Sequence, residues 1–404
     1  IIFHGAAQTV TGSCFQVTSA HSNVLVDCGM FQGSSGERDL NHQPFPFNPS
    51  ELDAVILTHA HIDHSGLIPR LCKAGFQGKI YATNATVDLC RIMLPDSGHI
   101  QEMEAEWHNR KRVRQGEPPL SPLYTAADAL ASLEYLRPVH YGEEITISDG
   151  LRVRFRDAGH ILGSSIIEMW LTEDEHTVKV VFSGDLGQAD QPIIRDPARV
   201  EAADFVVVES TYGSRFHENE NEEDKLALLE EVILDTEARG GKLIIPSFAV
   251  GRTQDILYHI KKLLMSGRIP ALPVYIDSPM AISATETFRK NPHYFDDETY
   301  QLLRRGESPF DFPNLHFTRS TEESKELNEM EQKAIIISAS GMCEAGRILH
   351  HLRHNLWRPE AGILFVGYQA EGTLGRRILD GAQAVKIFGE EILVKAKIYR
   401  IDGF

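Results

Sequence analysis

The run Thr58-His59-Ala60-His61-Ile62-Asp63-His64 places three imidazoles and a carboxylate directly after the apolar stretch that starts at Leu52. Two histidines at i and i+2 leaving a strand point the same way, because strand side chains alternate, and the Asp-His pair that follows begins a turn able to fold back beneath them. One segment can therefore serve two metal ions. Imidazole and carboxylate without thiolate suit Zn2+ held with an open position, which is a catalytic rather than a structural arrangement. Two more residues supply what the run lacks. His160 in "RDAGHILGSS" and Asp185 in "FSGDLG" each follow a β-branched run and are flanked by glycine, which lets backbone approach a ligand closely. Taken alone, either is more often an ordinary turn residue. Together with the first cluster they provide a third imidazole for one ion and a carboxylate able to bridge both. Asp27, after Val24-Leu25-Val26, is placed to orient an imidazole from behind.

Elements that could position these groups are visible in the pattern. Runs from Asn23, Leu52, Leu151, Val178 and Asp204 are β-branched and each ends in Gly, Asp, His or Ser/Thr, so strands dominate up to about Glu209. The stretch from Pro95 to Tyr124 reads as a charged amphipathic helix and a Pro-containing loop, with His99 and His108 as solvated helix residues. From about Thr211 helix and strand alternate. Helices from Asp224, Arg252, Ala281 and Glu344 separate the strands "KLIIPSF", "PVYIDS", "KAIIISAS" and "GILFVGYQ", the rhythm of a βαβ-type parallel sheet. Short strands return from Ala384. A first domain over 1–210, an inserted α/β domain over 211–379 and a return to the first domain over 380–404 are the expected division of a 404-residue chain.

Bulk properties narrow the class. No apolar run approaches the ~18 residues of a membrane span, and the first residues lack the basic-then-apolar pattern of a signal peptide. Cys14, Cys28, Cys72, Cys90 and Cys343 are scattered and never form a C-x-x-C pair, which opposes a disulfide framework and a thiolate zinc site and favours a reducing, cytoplasmic setting. A net charge of −17 opposes a protein that coats a nucleic-acid backbone.

In order and in strand-end context, Asp27, "HAHIDH" from His59, His160 and Asp185 resemble the first four motifs of the metallo-β-lactamase superfamily. "VVVESTYG" from Val206, with Glu209, resembles the acidic motif that opens the β-CASP branch, whose members process RNA or DNA. The resemblance continues through "PSFAVGRTQDIL", "SASGM" and "GYQAEGTLGRRI", and points to bacterial and archaeal relatives of the pre-mRNA 3′-end-processing endonuclease. It implies an α/β fold, a metallo-β-lactamase αββα sandwich with an inserted parallel-sheet β-CASP domain. It also implies two zinc ions, one on His59, His61 and His160, the other on Asp63 and His64, with Asp185 bridging. Catalytic roles fall to Asp63, Asp185 and Glu209, the last as orienting partner of a leaving-group histidine. The family carries that histidine in a Ser-Ala-His after "GF" and a last zinc ligand in a later Val-His-Gly, both expected beyond Phe404. Residues 1–404 by themselves are then expected to hold less than two full zincs and to cleave poorly.

The implied substrate is single-stranded RNA, cut in a cleft against the second domain, by a protein away from membranes and assembled as a homodimer. A strand threaded through a cleft needs few phosphate contacts besides the two zincs, so an acidic surface is admissible. Ser338, Ser340 and the amide of Gly341 are expected to cup a phosphate at a helix N-terminus, with a plain strand-to-helix turn as the equal alternative. Ser247 and Arg252 share that context, and Arg376 and Arg377 are weaker candidates. Three other readings compete. A DNA substrate is not distinguished by any short motif. Hydrolysis of a small thioester does not require a second domain. A non-catalytic subunit is opposed by the presence of all six ligands.

Overall fold

The computed structural model describes residues 1–33, 35–211, 213 and 222–401. The chain forms two compact units, one of Ile1–Ser214 with His293–Asp296, the other of Arg215–Pro292 with Asp297–Phe404. Tyr212, in the acidic stretch from Val206, and Asp402–Phe404 lie outside the described residues.

Among the described residues the first unit contains eleven strands: β1 (Ile2–Phe3), β2 (Phe15–Ser19), β3 (Ser22–Val26), β4 (Ala54–Ile56), β5 (Lys79–Thr83), β6 (Leu136–Val139), β7 (Glu144–Ser148), β8 (Leu151–Asp157), β9 (Ser165–Glu173), β10 (His176–Phe182) and β11 (Phe205–Val207). They form two sheets, ordered β1-β2-β3-β4-β5-β6 and β11-β10-β9-β8-β7. Alternate residues of both sheets share one core, Val24, Val26 and Ile56 from the first meeting Val153, Phe155 and Phe182 from the second. That is the inner layer of a sandwich.

Strand direction then decides where the polar ends emerge. β3 and β4 pair in parallel with Val26 opposite Ile56, so Asp27 and Thr58 leave the first sheet at the same edge. In the second sheet β8 and β10 both run antiparallel to β9, so they share a direction, and the turns carrying His160 and Asp185 leave it at one edge. The helix expected from Pro95 starts earlier, at Asn84, and runs through Pro95 to Arg114. Thr83 caps it by accepting the Thr86 amide, and burial of Leu89, Cys90 and Leu94 holds the first half in place although Pro95 removes one donor.

The second unit is built on β12 (Leu243–Pro246), β13 (Val274–Ile276), β14 (Leu315–Phe317), β15 (Ile335–Ser338), β16 (Gly362–Phe365) and β19 (Lys397–Arg400), in the order β14-β13-β15-β12-β16-β19. Every pairing is parallel. Leu243–Ile245 and Ile335–Ile337 are buried without alternation because apolar clusters cover both faces of the sheet. A hairpin of β17 (Ala384–Ile387) and β18 (Glu390–Leu393) packs Val385, Ile387 and Ile392 into one of those clusters.

The segment expected to return to the first domain from residue 380 therefore departs from that reading. Its elements belong to the second unit, where β19 pairs with β16 and Ile401 enters the core. Short strands alone do not reveal which sheet they join. A second departure follows "SASGM": the next helix is Ile348–Asn355, capped at Arg347, and residues 339–347 form turns.

Candidate metal centre

Asp27 has no solvent-exposed surface, and its φ of 61° turns the chain sharply out of β3. That conformation is one that aspartate tolerates better than most residues. Its Oδ1 accepts the Thr58 amide at 2.7 Å, while Oδ2 accepts the Thr58 hydroxyl at 2.8 Å and faces His64 Nδ1 at 2.7 Å. These contacts assign two tautomers. The single Thr58 hydroxyl proton is committed to Asp27, so the 3.0 Å contact between Thr58 Oγ1 and His59 Nδ1 is an N–H donated by His59. His64 likewise donates from Nδ1 to a carboxylate. His59 consequently presents a bare Nε2 to the interior of the site, while His64 Nε2, 3.1 Å from Asp185 Oδ1, is the nitrogen whose proton a metal ion would replace.

The remaining donors gather around those nitrogens. His61 Nδ1 lies 3.1 Å from His59 Nε2 and 3.2 Å from His160 Nε2. Asp185 divides its oxygens: Oδ2 stands 3.8 Å from His59 Nε2 and 3.6 Å from His160 Nε2, whereas Oδ1 stands 3.1 Å from His64 Nε2. Asp63 Oδ2 approaches the same His64 nitrogen at 3.9 Å. One ligand atom from each of His59, His61, His160 and Asp185 falls within 4.8 Å of all the others. A tetrahedral ion with bonds of ~2.0–2.1 Å has ligand–ligand edges of about 3.3 Å, and the imidazole spacings match that edge. Three nitrogens and a carboxylate of this spacing suit a divalent metal ion.

Backbone contacts hold the loops in place. The Asp63 carbonyl accepts the Ser13 amide and the His64 carbonyl accepts the Cys28 amide, at 2.9 and 2.8 Å. Gly29 is required there, since a Cβ would stand 1.6 Å from the Asp63 carbonyl oxygen. Gly187 has the same role beside Asp185, where a Cβ would stand 1.6 Å from the Gly159 carbonyl oxygen. Ser164 Oγ accepts the amides of His160 and Ile161 at 3.1 and 3.2 Å. Glu209 accepts the Leu186 amide at 3.3 Å and the Thr211 amide at 3.1 Å, which ties the Asp185 turn to the end of β11.

Electrostatics separate the two sides. Burial holds the His59 imidazole well below its ordinary pKa, and repulsion from His64, His61 and His160 adds to it. His61 is lowered by burial as well. Burial alone would lower His64 too, but the carboxylates of Asp27 and Asp185 outweigh it and raise that group well above the usual value. Although burial favours a neutral Asp185, the hydrogen bond from His64 and the neighbouring imidazoles keep it ionised far below the ordinary carboxylate range. A cation is thus welcomed at His64 Nε2, and at His59 a lone pair rather than a proton is favoured.

Of the residues singled out from sequence, Asp27, His59, His61, Asp63, His64, His160 and Asp185 come together here, with Glu209 behind the Asp185 turn. Thr58 was not anticipated, although its place immediately before the first histidine of the run is a signal that could have found it. The phosphate candidates lie in the second unit, and several are already engaged. Ser338 is buried and donates to the Asp277 carbonyl at 2.8 Å, and Ser247 is buried and receives the Thr253 hydroxyl at 3.1 Å. Ser340 Oγ accepts the amides of Glu344 and Ala345 at 3.1 and 3.3 Å. Gly341 packs where a Cβ would meet the Phe248 ring at 2.9 Å, and no helix starts at it. Arg376 Nε is held by Asp380 four residues on, at 2.8 Å, and Arg252 opens the helix Arg252–Met265.

Comparison with known proteins adds family to geometry. The family model described as Metallo-beta-lactamase superfamily matches residues 8–238, and that of the Beta-Casp domain matches residues 253–378. The chain is 38% identical to "Ribonuclease TTHA0252" of Thermus thermophilus over 404 residues, covering 100% of this chain and 87% of that one. It is 31% identical to "Transcription termination factor FttA" of Methanosarcina mazei, covering 99% of this chain but 61% of that protein's length. It is also 31% identical to an "RNase J-like protein" of Methanocaldococcus jannaschii, covering 99% and 85%. No helix among the described residues is long and apolar enough to cross a membrane.

Proposed function

The chain belongs to the metallo-β-lactamase superfamily, in the branch that carries a β-CASP domain, and from that premise we propose that it is a zinc-dependent ribonuclease that cuts RNA internally and also degrades it from a 5′ end. The observation that carries the reading is the division of Asp185 between two sets of donors. One zinc would rest on His59, His61 and His160, a second on Asp63 and His64, and Asp185 would reach both. When bound, such ions supply Lewis acidity at a phosphoryl group and lower the pKa of an attacking water.

The chain's own groups do the rest. Asp27 and Thr58 fix the tautomers of His64 and His59, so that neither ring spends a proton where a lone pair is needed. Asp63, a fifth exposed and 3.9 Å from His64 Nε2, would take the proton that attacking water releases. Glu209 holds the turn of Asp185 through Leu186. A phosphodiester suits two adjacent cations better than a thioester does, because its two non-bridging oxygens spread the transition-state charge. In the second unit, the Gly341 amide and the Arg252 guanidinium are the groups proposed for strand binding, whereas the Ser340 amide donates to the Ala345 carbonyl at 3.2 Å and Arg376 is held by Asp380.

The test offers the full-length protein, with zinc, one circular RNA, one linear RNA bearing a 5′-monophosphate, one bearing a 5′-triphosphate, and a DNA of the same sequence. Zinc-dependent cutting of the circle is expected, since only internal cleavage opens it. Failure to cut any of the RNAs, combined with turnover of a small thioester, would overturn the assignment.

A further inference from the structure

The helix Asn84–Arg114 divides into two halves with different fates. All its buried residues lie at or before Gly98, where Ala126 approaches so closely that a Cβ would stand 2.7 Å from its amide nitrogen. Beyond Gly98, at 100° per residue, Gln101, Glu102, Ala105, Asn109 and Arg112 share one side and are half-buried. The returning loop covers them: Asn109 exchanges two hydrogen bonds with Leu120, at 2.9 and 2.7 Å, and Arg112 donates to the Pro118 carbonyl at 2.9 Å. The opposite side carries Ile100, Met103, Glu104, Trp107, Lys111 and Arg114, all exposed. Met103 is 57% exposed and Trp107 is 67% exposed, a large cost in apolar surface for a helix that already has a packed face.

Charge on this face is ordered. On it Glu104 precedes Trp107, whereas Lys111 and Arg114 follow it. Glu104 and Lys111 are seven residues apart, two turns along one line of the helix, and form no ion pair within the described residues. A sequence of acid, aromatic and base reads the same from the other end with the signs exchanged. We propose that this face is the contact between two copies of the chain, with the two helices antiparallel about a twofold axis beside Trp107 and His108. Each Glu104 then faces the partner's Lys111, the two Trp107 rings cover one another, and the stems of Arg114 lie over Ile100 and Met103 of the other copy. A parallel pairing would set acid on acid and base on base. An RNA strand is a poorer occupant, because Glu104, one turn from the aromatic ring on which a base would stack, would repel its phosphates. The proposal does not depend on the hydrolytic reading.

Sedimentation equilibrium of the full-length protein decides it. The wild type is expected to dimerise at micromolar concentration. E104K and K111E, each placing like charges across the axis twice, are expected to raise the dimer dissociation constant on the order of 100-fold. Both substitutions lie on an exposed face and leave the fold intact. An equimolar mixture of E104K and K111E restores every opposite-charge pair and is expected to form a heterodimer, and the double variant is expected to pair with itself. A wild type that is monomeric up to roughly 100 µM, or a single reversal that leaves the dimer unchanged, would overturn the proposal. So would a mixture that stays monomeric, or a K111E protein that loses affinity for a single-stranded RNA while its mass distribution is unaltered.

Discussion

Replacing Asp27 with Asn tests whether metal binding depends on a group that contacts no metal. Asparagine preserves volume and accepts the positive φ of 61°, so neither a cavity nor backbone strain confuses the result, as either would with alanine. If its carbonyl oxygen continues to accept the Thr58 amide, its NH2 replaces the oxygen that now accepts from Thr58 Oγ1 and His64 Nδ1. His64 must then accept at Nδ1 and carry its proton on Nε2, facing Asp185. Thr58, now receiving a hydrogen bond, is free to donate to His59 Nδ1, which moves the His59 proton to Nε2 as well. A metal ion bound at either Nε2 then forces the ring to carry its proton at Nδ1 against another donor, so one substitution disfavours both ligating tautomers. Loss of a partner that orients a metal ligand typically weakens affinity ~10–100-fold, or about 1.4–2.7 kcal/mol for each affected ion. Titration of the metal-free protein with zinc, read by calorimetry with circular dichroism as a check on the fold, is expected to show weaker binding at both positions. Unchanged affinity at both would refute the tautomer argument, and weakening at one alone would confine the effect to His64.

Four further outcomes are expected. Asp185→Asn should lower RNA cleavage by several orders of magnitude while leaving the far-UV circular dichroism of the metal-free protein near that of the wild type, because the residue lies in a turn; turnover close to normal would remove Asp185 from the centre. Asp277→Ala should cost ~3–5 kcal/mol in denaturant unfolding, because it strands His351, Ser324 and Arg347, which now donate to Asp277 at 2.6 Å each; a loss below about 1 kcal/mol would mean that the network rearranges. Burial raises Asp255 from 3.8 to about 6, so its contribution to stability is complete below the unfolded value and is lost as pH rises through the folded one; Asp255→Asn should therefore gain on the wild type between pH 4 and 6, by at most about 3 kcal/mol, and parallel pH–melting curves would contradict this. The salt dependence of RNA affinity should correspond to about two or three released ions rather than the ~6–10 of a groove-coating protein, since the chain carries a net charge of −17, and a steep dependence between low and moderate salt would exclude a narrow strand path.

Position relative to a strand end is a local property, which is why the metal residues were legible in the sequence. The i, i+2 spacing of His59 and His61 just past the end of β4, and the glycines that open the turns of His160 and Asp185, are visible from residue type and spacing alone. The alternation of helices and strands from Thr211 likewise revealed a parallel sheet, while the cover on both faces of its Ile335–Ile337 strand came from packing. Distances between segments are another matter. That Asp27 meets Thr58 and His64 depends on the parallel register of β3 with β4, and that Asp185 offers one oxygen to each side depends on how two sheets pack. Tertiary contacts also overrode local signals. Burial of Leu89 and Leu94 carried a helix through Pro95, the segment after β15 turned for nine residues before its helix began, and the strand Lys397–Arg400 joined the second unit rather than the first. Sequence determined which side chains could bind a metal and that each lies just past the end of a strand; only packing, which adds contacts from residues far along the chain, decided which of them would meet.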